Sequence, residues 1–480
     1  MQYPQTGPLA AVPSAQSAVG GAPQRAADAD VPRRKLFGTD GVRGVAGEQL
    51  TADLALGLGR AATTVARDRG AARPRVLVIR DTRESGEMLE AALAAGVADA
   101  GGEVLLGGVL PTPAAPLLVR RYGFDLAAVL SASHNPYRDN GIKFFGGDGF
   151  KLSDATELEI ERRLEERGRP PQAAGGGPAI GRVRALHGTQ EDYLRALQER
   201  FADLDLAGVQ VALDCANGAT HRVAPEIFRR LGATVTVVGD APDGRNINAG
   251  CGSTHLDGLV ETVTTGGHDV GFAFDGDGDR VLAVDRNGAV VDGDELVALA
   301  ALHLRRAGRL SGDGVAVTVM TNYGFHAAME AAGIEVVSTQ VGDRYVLEAM
   351  RERGWVLGGE QSGHIIELGF APSGDGIASA LLTLEALDGA DLARRNAMHK
   401  LPQRLVNVKV ADRDAAMAAD EVTAASAKES EALAGRGRVL VRPSGTEPVV
   451  RVMVEAPTAD EADAVCTRLV EVVERVSPRG

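Results

Sequence analysis

The chain is poor in the residues and segments that mark several protein classes. Its 480 residues include only three cysteines, Cys215, Cys251 and Cys466, which lie far apart and show no CxxC spacing. This pattern excludes a disulfide framework and a cysteine zinc site, and it favours a reducing compartment, so we expect a cytoplasmic protein. No run of about 18 apolar residues is present, so we expect no transmembrane helix.

Basic residues are also in deficit. Lys and Arg total 51 against 65 Asp and Glu, which gives a formal net charge of −14. This balance does not favour nucleic acid or an anionic membrane surface as a partner. An anionic small substrate would require local Arg and Lys residues to offset the overall field. The chain has no Walker A sequence, so ATP has no visible site as a phosphoryl donor.

Chain length and the alternation of predicted elements indicate several domains. Hydrophobic residues make up 44% and charged residues 24%, as in globular proteins. Apolar strands, such as 126–130, 234–238 and 270–274, alternate with helical patterns, which predicts mixed sheets covered by helices. The final block changes to the order strand, helix, two strands, helix. We therefore predict an α/β fold, with three similar mixed-sheet α/β domains plus a smaller C-terminal α+β domain around a central cleft.

The expected domain limits follow from these changes of pattern. Residues 1–32 are rich in Ala, Pro, Gln and Gly, and we expect them to form a disordered N-terminal extension. The four domains are predicted over residues 33–187, 188–285, 286–401 and 402–480. They would carry, in that order, a serine loop, a metal loop, a sugar-binding loop and a phosphate-binding loop.

The serine loop has the sequence SASHNP, 131–136, and is centred on Ser133. It follows the apolar strand 126–130, and strand ends are where open α/β sheets place ligands. Pro136 restricts the loop backbone, and Lys143 can bring a cation over the hydroxyl. Because no Gly-x-Ser-x-Gly elbow surrounds Ser133, phosphoryl transfer suits it better than acyl transfer, although an ordinary loop serine has the same pattern.

The metal loop is DGDGDR, 275–280, in which Asp275, Asp277 and Asp279 alternate with glycines. Three oxygen ligands on a flexible backbone predict a hard-cation site. An EF-hand is excluded because Arg280 and Arg286 stand where that motif needs Gly and Glu, and because the flanks are predicted strands. We therefore predict Mg²⁺, with coordination positions left for a phosphate oxygen. A solvated acidic turn is the alternative.

Two further loops also follow predicted strands. GEQSGH, 359–364, combines a carboxylate, a hydroxyl and an imidazole that could contact sugar hydroxyls, although a plain strand-to-helix turn would look the same. RPSGTEP, 442–448, with Arg451 beyond it, has hydroxyls, glycine-freed N–H groups and guanidinium groups that suit a phosphate. A surface turn with an Arg–Glu pair is the alternative. Four such loops could converge on one cleft between domains.

Eight segments together resemble the α-D-phosphohexomutase superfamily and, within it, the bacterial phosphoglucosamine mutases. The resemblance runs from about residue 33 to residue 476. Its segments, in family order, are LFGTDGVRG (36–44), SASHNPYRDNGIKFF (131–145), DCANGAT (214–220), CGSTH (251–255), DGDGDR (275–280), VGDRYV (341–346), GEQSGH (359–364) and RPSGTEP (442–448). Gln361 departs from the family pattern, which often has Asn at this position.

The resemblance implies specific roles for these residues. Ser133 would carry a phosphate and act as its donor and acceptor. One Mg²⁺ per chain would be bound by Asp275, Asp277, Asp279 and an oxygen on Ser133. Arg43 and Lys143 would assist proton transfer and charge stabilisation, with His134 beside the serine. Substrate contacts would come from Arg280, Glu360, Ser362, His364, Arg442, Ser444, Gly445, Thr446 and Arg451.

The resemblance also implies an isomerase that interconverts glucosamine 6-phosphate and glucosamine 1-phosphate through a phosphoserine and a 1,6-bisphosphate. Glucosamine 1,6-bisphosphate or glucose 1,6-bisphosphate would act as activator, and the product would feed the synthesis of UDP-N-acetylglucosamine and cell-wall precursors. The alternatives are a phosphoglucomutase or phosphomannomutase of the same superfamily, a metal-dependent phosphatase and a non-catalytic sugar-phosphate sensor. The sequence leaves monomer and homodimer equally open.

Overall fold

The computed structural model describes residues 34–166, 180–444 and 449–477. Four sheets follow one another along this part of the chain. None of the described helices is long and apolar enough to cross a membrane. The extension expected over residues 1–32 lies outside the described residues.

The first sheet has six strands and carries the serine loop. Its strands are β1 (Val42–Val45), β2 (Arg75–Arg80), β3 (Glu103–Val109), β4 (Leu126–Leu130), β5 (Asp139–Gly146) and β6 (Arg182–Ala185). They lie in the order β1-β5-β4-β2-β3-β6, and β5 is antiparallel to both its neighbours. The helices are α1 (Ala52–Asp68), α2 (Ser85–Asp99), α3 (Ala114–Tyr122) and α4 (Asp154–Glu165). All five residues of β4 are buried, as its unbroken apolar sequence requires.

The second sheet carries the metal loop. After helix α5 (Thr189–Arg200), its elements are β7 (Gln210–Asp214), α6 (Val223–Arg230), β8 (Thr234–Val238), α7 (Asp257–Gly266), β9 (Val270–Phe274), β10 (Val281–Asp285) and β11 (Val290–Val291). The strand order is β11-β10-β9-β7-β8. Strands β9 and β10 pair antiparallel with Phe274 opposite Val281, so residues 275–280 form the turn of a hairpin.

The third sheet carries the sugar-binding loop. Its elements are α8 (Gly293–Arg306), β12 (Gly314–Thr318), α9 (Tyr323–Ala331), β13 (Glu335–Thr339), α10 (Asp343–Arg353), β14 (Leu357–Gly359), β15 (Ile365–Glu367) and α11 (Gly376–Leu387). The strand order is β13-β12-β14-β15. Gly359 pairs with Ile365 in the antiparallel β14–β15 pair, so residues 360–364 also form a hairpin turn.

The fourth sheet is small and antiparallel. It contains β16 (Gln403–Lys409), β17 (Arg438–Pro443) and β18 (Val449–Glu455) in the order β16-β18-β17. Helices α12 (Arg413–Ala418), α13 (Asp420–Ala432) and α14 (Ala459–Val476) accompany it. The predicted fold class is confirmed, and strands 126–130, 234–238 and 270–274 have the predicted bounds. Where each domain begins and ends stays a prediction.

The first three sheets share one apolar core, whereas the fourth has its own. A single buried cluster includes Leu77 of the first sheet, Phe272 of the second and Leu381 of helix α11. The cluster around Val452 is separate and belongs to the fourth sheet. Polar bonds connect the fourth sheet to the third, such as the bond from the Tyr323 amide to Glu455 Oε2 at 2.7 Å. Polar interfaces of this kind permit relative domain motion.

A buried hydrogen bond joins helix α5, which precedes the second sheet, to the start of helix α11 beside the third sheet. Tyr193 on α5 donates its hydroxyl to Asp375, whose two carboxylate oxygens each lie 2.9 Å away. Asp375 also caps α11 by accepting from the Ala378 amide at 2.9 Å. Burial raises the pKa of Asp375 to about 7, although the hydrogen bonds from the Ala378 amide and the Tyr193 hydroxyl oppose this rise. The hydroxyl therefore stabilises the ionised carboxylate.

We expect Tyr193→Phe to destabilise the protein by about 1–3 kcal/mol, because it removes the side-chain donor of a buried carboxylate and leaves only backbone amides. The loss should be larger at pH 8, where Asp375 is ionised, than at pH 5, where it is protonated. Thermal unfolding at both pH values measures the effect. Tyr122→Phe is the control, since Tyr122 donates to Asp192 at an exposed position. Equal losses for the two variants would contradict the prediction.

Candidate active site

Three loops from three different sheets meet at one point. The Ser133 hydroxyl donates to Asp275 Oδ2 at 2.5 Å, which joins the serine loop to the metal loop. Arg280, at the end of the metal loop, forms a β-bridge with His364 of the sugar-binding loop. The convergence predicted from strand ends is therefore present for these three loops.

Ser133 has an unusual backbone conformation. Its φ of 53° lies in the left-handed region, which is uncommon for a residue other than glycine. The Ser133 amide donates to Ser131 Oγ at 2.9 Å, and the side chain is almost completely buried. Residues held in such conformations cluster at functional sites, and they persist only when neighbours fix them.

Arg83 fixes the backbone of the serine loop through hydrogen bonds. It is among the most buried large side chains of the described residues, and its Nε donates to Asp81 Oδ2 at 2.8 Å. The remaining donors of its guanidinium contact the backbone carbonyls of Ser133, Asn135 and Pro136 in the serine loop and of Asp139 at the start of β5. Sequence analysis missed Arg83 and Asp81, although they follow β2 directly and so carried the same strand-end signal as the predicted loops.

Asn248 holds the serine loop from the side of the second sheet. Its Nδ2 donates to the carbonyl oxygens of Ser133 at 2.9 Å and Asn135 at 3.1 Å. Asn248 lies in an irregular segment and itself has a φ of 58°. Sequence analysis missed this residue because no periodicity or motif singled it out.

The three aspartates of the metal loop are buried side by side. One ligand oxygen from each of Asp275, Asp277 and Asp279 lies within 4.8 Å of the others. Burial raises the pKa of Asp275 well above its ordinary value, and the charges of Asp279 and Asp277 raise it further. Among the described residues, Asp277 Oδ1 and Asp279 Oδ1 are buried and accept no hydrogen bond. A divalent cation fits this site because it would neutralise the trio and satisfy these oxygens.

The glycines of the metal loop are required by close packing. A Cβ on Gly276 would lie 2.6 Å from the carbonyl oxygen of Ser133. Gly278 has a φ of 71°, and a Cβ there would lie 2.5 Å from Thr220. The alternation of Asp and Gly therefore lets the carboxylates gather while the backbone touches the serine loop.

Two predicted cations lie beside this site. Lys143 is 2% exposed, and its Nζ lies 2.9 Å from Asp277 Oδ2 and 3.7 Å from Asp279 Oδ2. Lys143 Nζ also lies 3.2 Å from Asp40 Oδ2, and Arg43 pairs with the same carboxylate. Asp40 therefore joins the two cations, a role that sequence analysis missed.

Two histidines flank the site in different electrostatic environments. His134 Nδ1 lies 3.4 Å from Ser133 Oγ, and burial together with Arg280 lowers the His134 pKa. His364 Nδ1 lies 3.6 Å from Asp279 Oδ2. Burial lowers the pKa of His364, but the charges of Asp279 and Asp343 outweigh it and raise the pKa overall. His134 is therefore suited to the neutral form and His364 to the cationic form.

The sugar-binding loop presents its polar groups at the same cleft. Glu360 is half-buried, and its Oε1 accepts from the Gly342 amide at 3.0 Å. Ser362 is exposed. These positions, with His364, suit contacts to sugar hydroxyls, and they stay predictions as substrate contacts.

The phosphate-binding loop brings two guanidinium groups together. Arg442 on β17 lies directly opposite Arg451 on β18. Burial and the Arg451 charge lower the pKa of Arg442, so an anion near both residues would be stabilising. The Ser444 amide donates to the Val449 carbonyl at 2.9 Å. The predicted contacts Gly445 and Thr446 lie outside the described residues.

Comparisons with known proteins show the family and the fold of the chain. Models of the four domains of phosphoglucomutase/phosphomannomutase match the chain over residues 34–170 (alpha/beta/alpha domain I), 191–288 (domain II), 292–407 (domain III) and 405–472 (C-terminal domain). A phosphoglucosamine mutase from Moorella thermoacetica is 53% identical over 439 residues, which are 91% of this chain and 98% of that protein.

Solved structures show the same fold. A phosphoglucomutase/phosphomannomutase family protein from Burkholderia thailandensis superposes with a TM-score of 0.78 and 25% identity, over 93% of this chain and 99% of the other. An N-acetylphosphoglucosamine mutase from Aspergillus fumigatus, solved in complex with GlcNAc-6P and magnesium, has a TM-score of 0.58 and 19% identity, over 93% of this chain and 96% of that one. At this identity the likeness shows the fold alone.

The three-aspartate site generates a prediction about metal binding. We expect Asp279→Asn to weaken Mn²⁺ binding by at least about tenfold, because even outer-shell changes at metal sites cost 10–100-fold. Titration followed by electron paramagnetic resonance measures the affinity without any assay of activity. Asp243→Asn is the matched control, since Asp243 is an exposed carboxylate of the same unit. Unchanged Mn²⁺ affinity in Asp279→Asn would contradict the assignment.

Proposed function

The chain belongs to the phosphoglucomutase/phosphomannomutase family, and we propose that it interconverts glucosamine 6-phosphate and glucosamine 1-phosphate. The observation that carries this proposal is the 2.5 Å contact between the Ser133 hydroxyl and Asp275 of a buried three-carboxylate site, with Lys143 beside it. Relatives described as phosphoglucosamine mutases, such as the Moorella protein at 53% identity over 91% of this chain, favour glucosamine phosphates as the substrate class.

Charge neutralisation is the main chemical requirement of this reaction. A phosphoserine carries about −1.5 to −2 charge at neutral pH, and the substrate phosphate adds more. Bound to Asp275, Asp277 and Asp279, Mg²⁺ would offset the charge on the transferring phosphoryl group. Lys143 and Arg43 would act on the same charge, and Asp40 would hold the two cations in place.

The proposed cycle has two phosphoryl transfers, one from phospho-Ser133 to O1 and one of a different phosphoryl group from O6 to Ser133. The phosphorus–Oγ bond of phospho-Ser133 breaks as a bond forms to O1 of glucosamine 6-phosphate, and the O1 proton leaves with assistance from the Arg43 and Lys143 region. The resulting 1,6-bisphosphate then reorients within the cleft, so that the phosphate on O6 lies next to Ser133. The bond from phosphorus to O6 then breaks while Ser133 Oγ takes the phosphoryl group, O6 regains a proton, and glucosamine 1-phosphate leaves.

One phosphate-binding loop must serve both orientations of the sugar. Arg442, Ser444 and Arg451, together with the predicted Gly445 and Thr446, would bind whichever phosphate is not reacting. Glu360, Ser362, His364 and Arg280 would contact the sugar between the two phosphate positions. We infer that the fourth domain moves between these states, because its core is separate from that of the first three sheets.

Several finer points belong to the same proposal. We infer one Mg²⁺ per chain and activation by glucosamine 1,6-bisphosphate or glucose 1,6-bisphosphate, which would load Ser133. The product would feed UDP-N-acetylglucosamine and cell-wall precursor synthesis in the cytoplasm. The competing assignment is a phosphoglucomutase or phosphomannomutase activity, since the metal and serine loops suit either reaction.

Product identity tests the proposal. With Mg²⁺ and a catalytic amount of glucose 1,6-bisphosphate, we expect glucosamine 6-phosphate to yield glucosamine 1-phosphate, measured by ³¹P nuclear magnetic resonance. Turnover should exceed that on glucose 6-phosphate, and Ser133→Ala should abolish both. Faster turnover of glucose 6-phosphate would favour the competing mutase, and release of inorganic phosphate would instead indicate a phosphatase.

The hydrogen bonds from Asn248 to the backbone of the serine loop give a second prediction. We expect Asn248→Ala to lower kcat by at least about tenfold, since a misplacement of about 1 Å in an active site can cost 10²-fold. Arg245→Ala is the matched control, because Arg245 comes from the same segment and bonds to Glu84 at 2.7 Å without touching the serine loop. Equal kcat values for the two variants would show that Asn248 only joins the domains.

A further inference from the structure

A closed ring of alternating charges runs through the active site and includes two residues that the proposed mechanism does not use. Lys151 follows β5 in the first unit, and Asp343 is the first residue of α10 in the third. Their side chains pair at 2.6 Å and are 14% and 18% exposed. Asp343 lies in the VGDRYV segment, to which the proposed mechanism gives no role.

The Lys151 end of this pair reaches the cations beside Ser133. Lys151 Nζ lies 2.8 Å from Asp40 Oδ1, and Asp40 Oδ2 lies 3.2 Å from Lys143 Nζ. Arg43 pairs with the same Asp40 carboxylate. Asp40 therefore has three cationic neighbours, Arg43, Lys143 and Lys151.

The Asp343 end reaches the sugar-binding loop. Asp343 Oδ2 lies 3.6 Å from His364 Nε2, and the neighbouring Gly342 amide donates to Glu360 Oε1 at 3.0 Å. His364 Nδ1 in turn lies 3.6 Å from Asp279 Oδ2, which lies 3.7 Å from Lys143 Nζ. The ring thus closes through the metal loop.

We propose that Lys151 and Asp343 are positioning residues that fix the position of the sugar-binding loop relative to the cations beside Ser133. This inference rests on the proposed mutase activity. The pair differs from an ordinary interdomain salt bridge because each partner also touches a group of the site. Charges in such a network orient one another, and the loss of one leaves an uncompensated neighbour inside the site.

The same interface contains a matched control. Arg344, the next residue along α10, also connects the third unit to the first, since its guanidinium pairs with Asp154 and lies 3.1 Å from Glu157. Both partners lie in the first turn of α4, and within the described part of the chain the Arg344 side chain bonds neither to Asp40 nor to residues 360–364. Arg344→Gln therefore weakens the interface without breaking the ring.

Steady-state kinetics of glucosamine 6-phosphate isomerisation tests the inference. We expect Lys151→Gln and Asp343→Asn each to lower kcat/KM by at least about tenfold, through both kcat and KM, because both the cations and the sugar loop would shift. Arg344→Gln should stay within about twofold of wild type, because Arg344 bonds to residues of α4 and its side chain bonds to no member of the ring. The rate at which glucose 1,6-bisphosphate phosphorylates Ser133, followed by intact mass, should fall with Lys151→Gln.

The charge-swapped double variant, Lys151→Asp with Asp343→Lys, distinguishes a positioning role from that of an ordinary interdomain salt bridge. We expect it to remain as impaired as the single variants, because an aspartate would then face Asp40 and a lysine would face His364. Recovery of activity in the swap, wild-type kinetics in both single variants, or an equal loss in Arg344→Gln would overturn the inference. Absence of isomerase activity in the wild type would refute the proposed function itself.

Discussion

The structure depends on the concentration of negative charge at one buried point. Asp275, Asp277 and Asp279 lie within 4.8 Å of one another, and the Ser133 hydroxyl touches one of them. Buried like charges are costly unless cations compensate them. Lys143, His364 and Arg280 lie beside the trio and provide part of that compensation. A divalent cation held by the three carboxylates would provide the rest.

The architecture explains how four separate loops can act together. The first three sheets share one apolar core, so the serine, metal and sugar-binding loops are held on a common rigid base. The fourth sheet has a separate core and polar contacts with the third, which suits the proposed role of its loop in binding a phosphate in two orientations of the substrate. Arg83 and Asn248 then fix the loop backbone locally, where Ser133 adopts its left-handed conformation.

The sequence predicted the fold class and the loops that end strands, because these depend on local apolar patterns and turn residues. The predicted order of the final block was wrong in one place, since two helices, α12 and α13, follow β16 where one was expected. Strands 126–130 and 270–274 have the predicted bounds, and the metal trio gathers as the Asp–Gly alternation indicated. Arg83 carried the same strand-end signal as the predicted loops and Asp343 lies in the VGDRYV segment, but the contacts of these two residues, and of Asn248 and Lys151, could not be found in this way. Their partners lie far away in sequence, so their significance arises only from tertiary packing, which no single-sequence pattern reports.

The central claim is that phosphorylated Ser133 and the three aspartates share one divalent ion. The most direct test is a crystal structure of protein treated with glucose 1,6-bisphosphate and Mn²⁺, with the metal located by anomalous scattering. The account predicts phosphate on Ser133 Oγ and one anomalous peak coordinated by Asp275, Asp277, Asp279 and a phosphoryl oxygen. An unmodified Ser133, or a metal bound away from the three carboxylates, would contradict it.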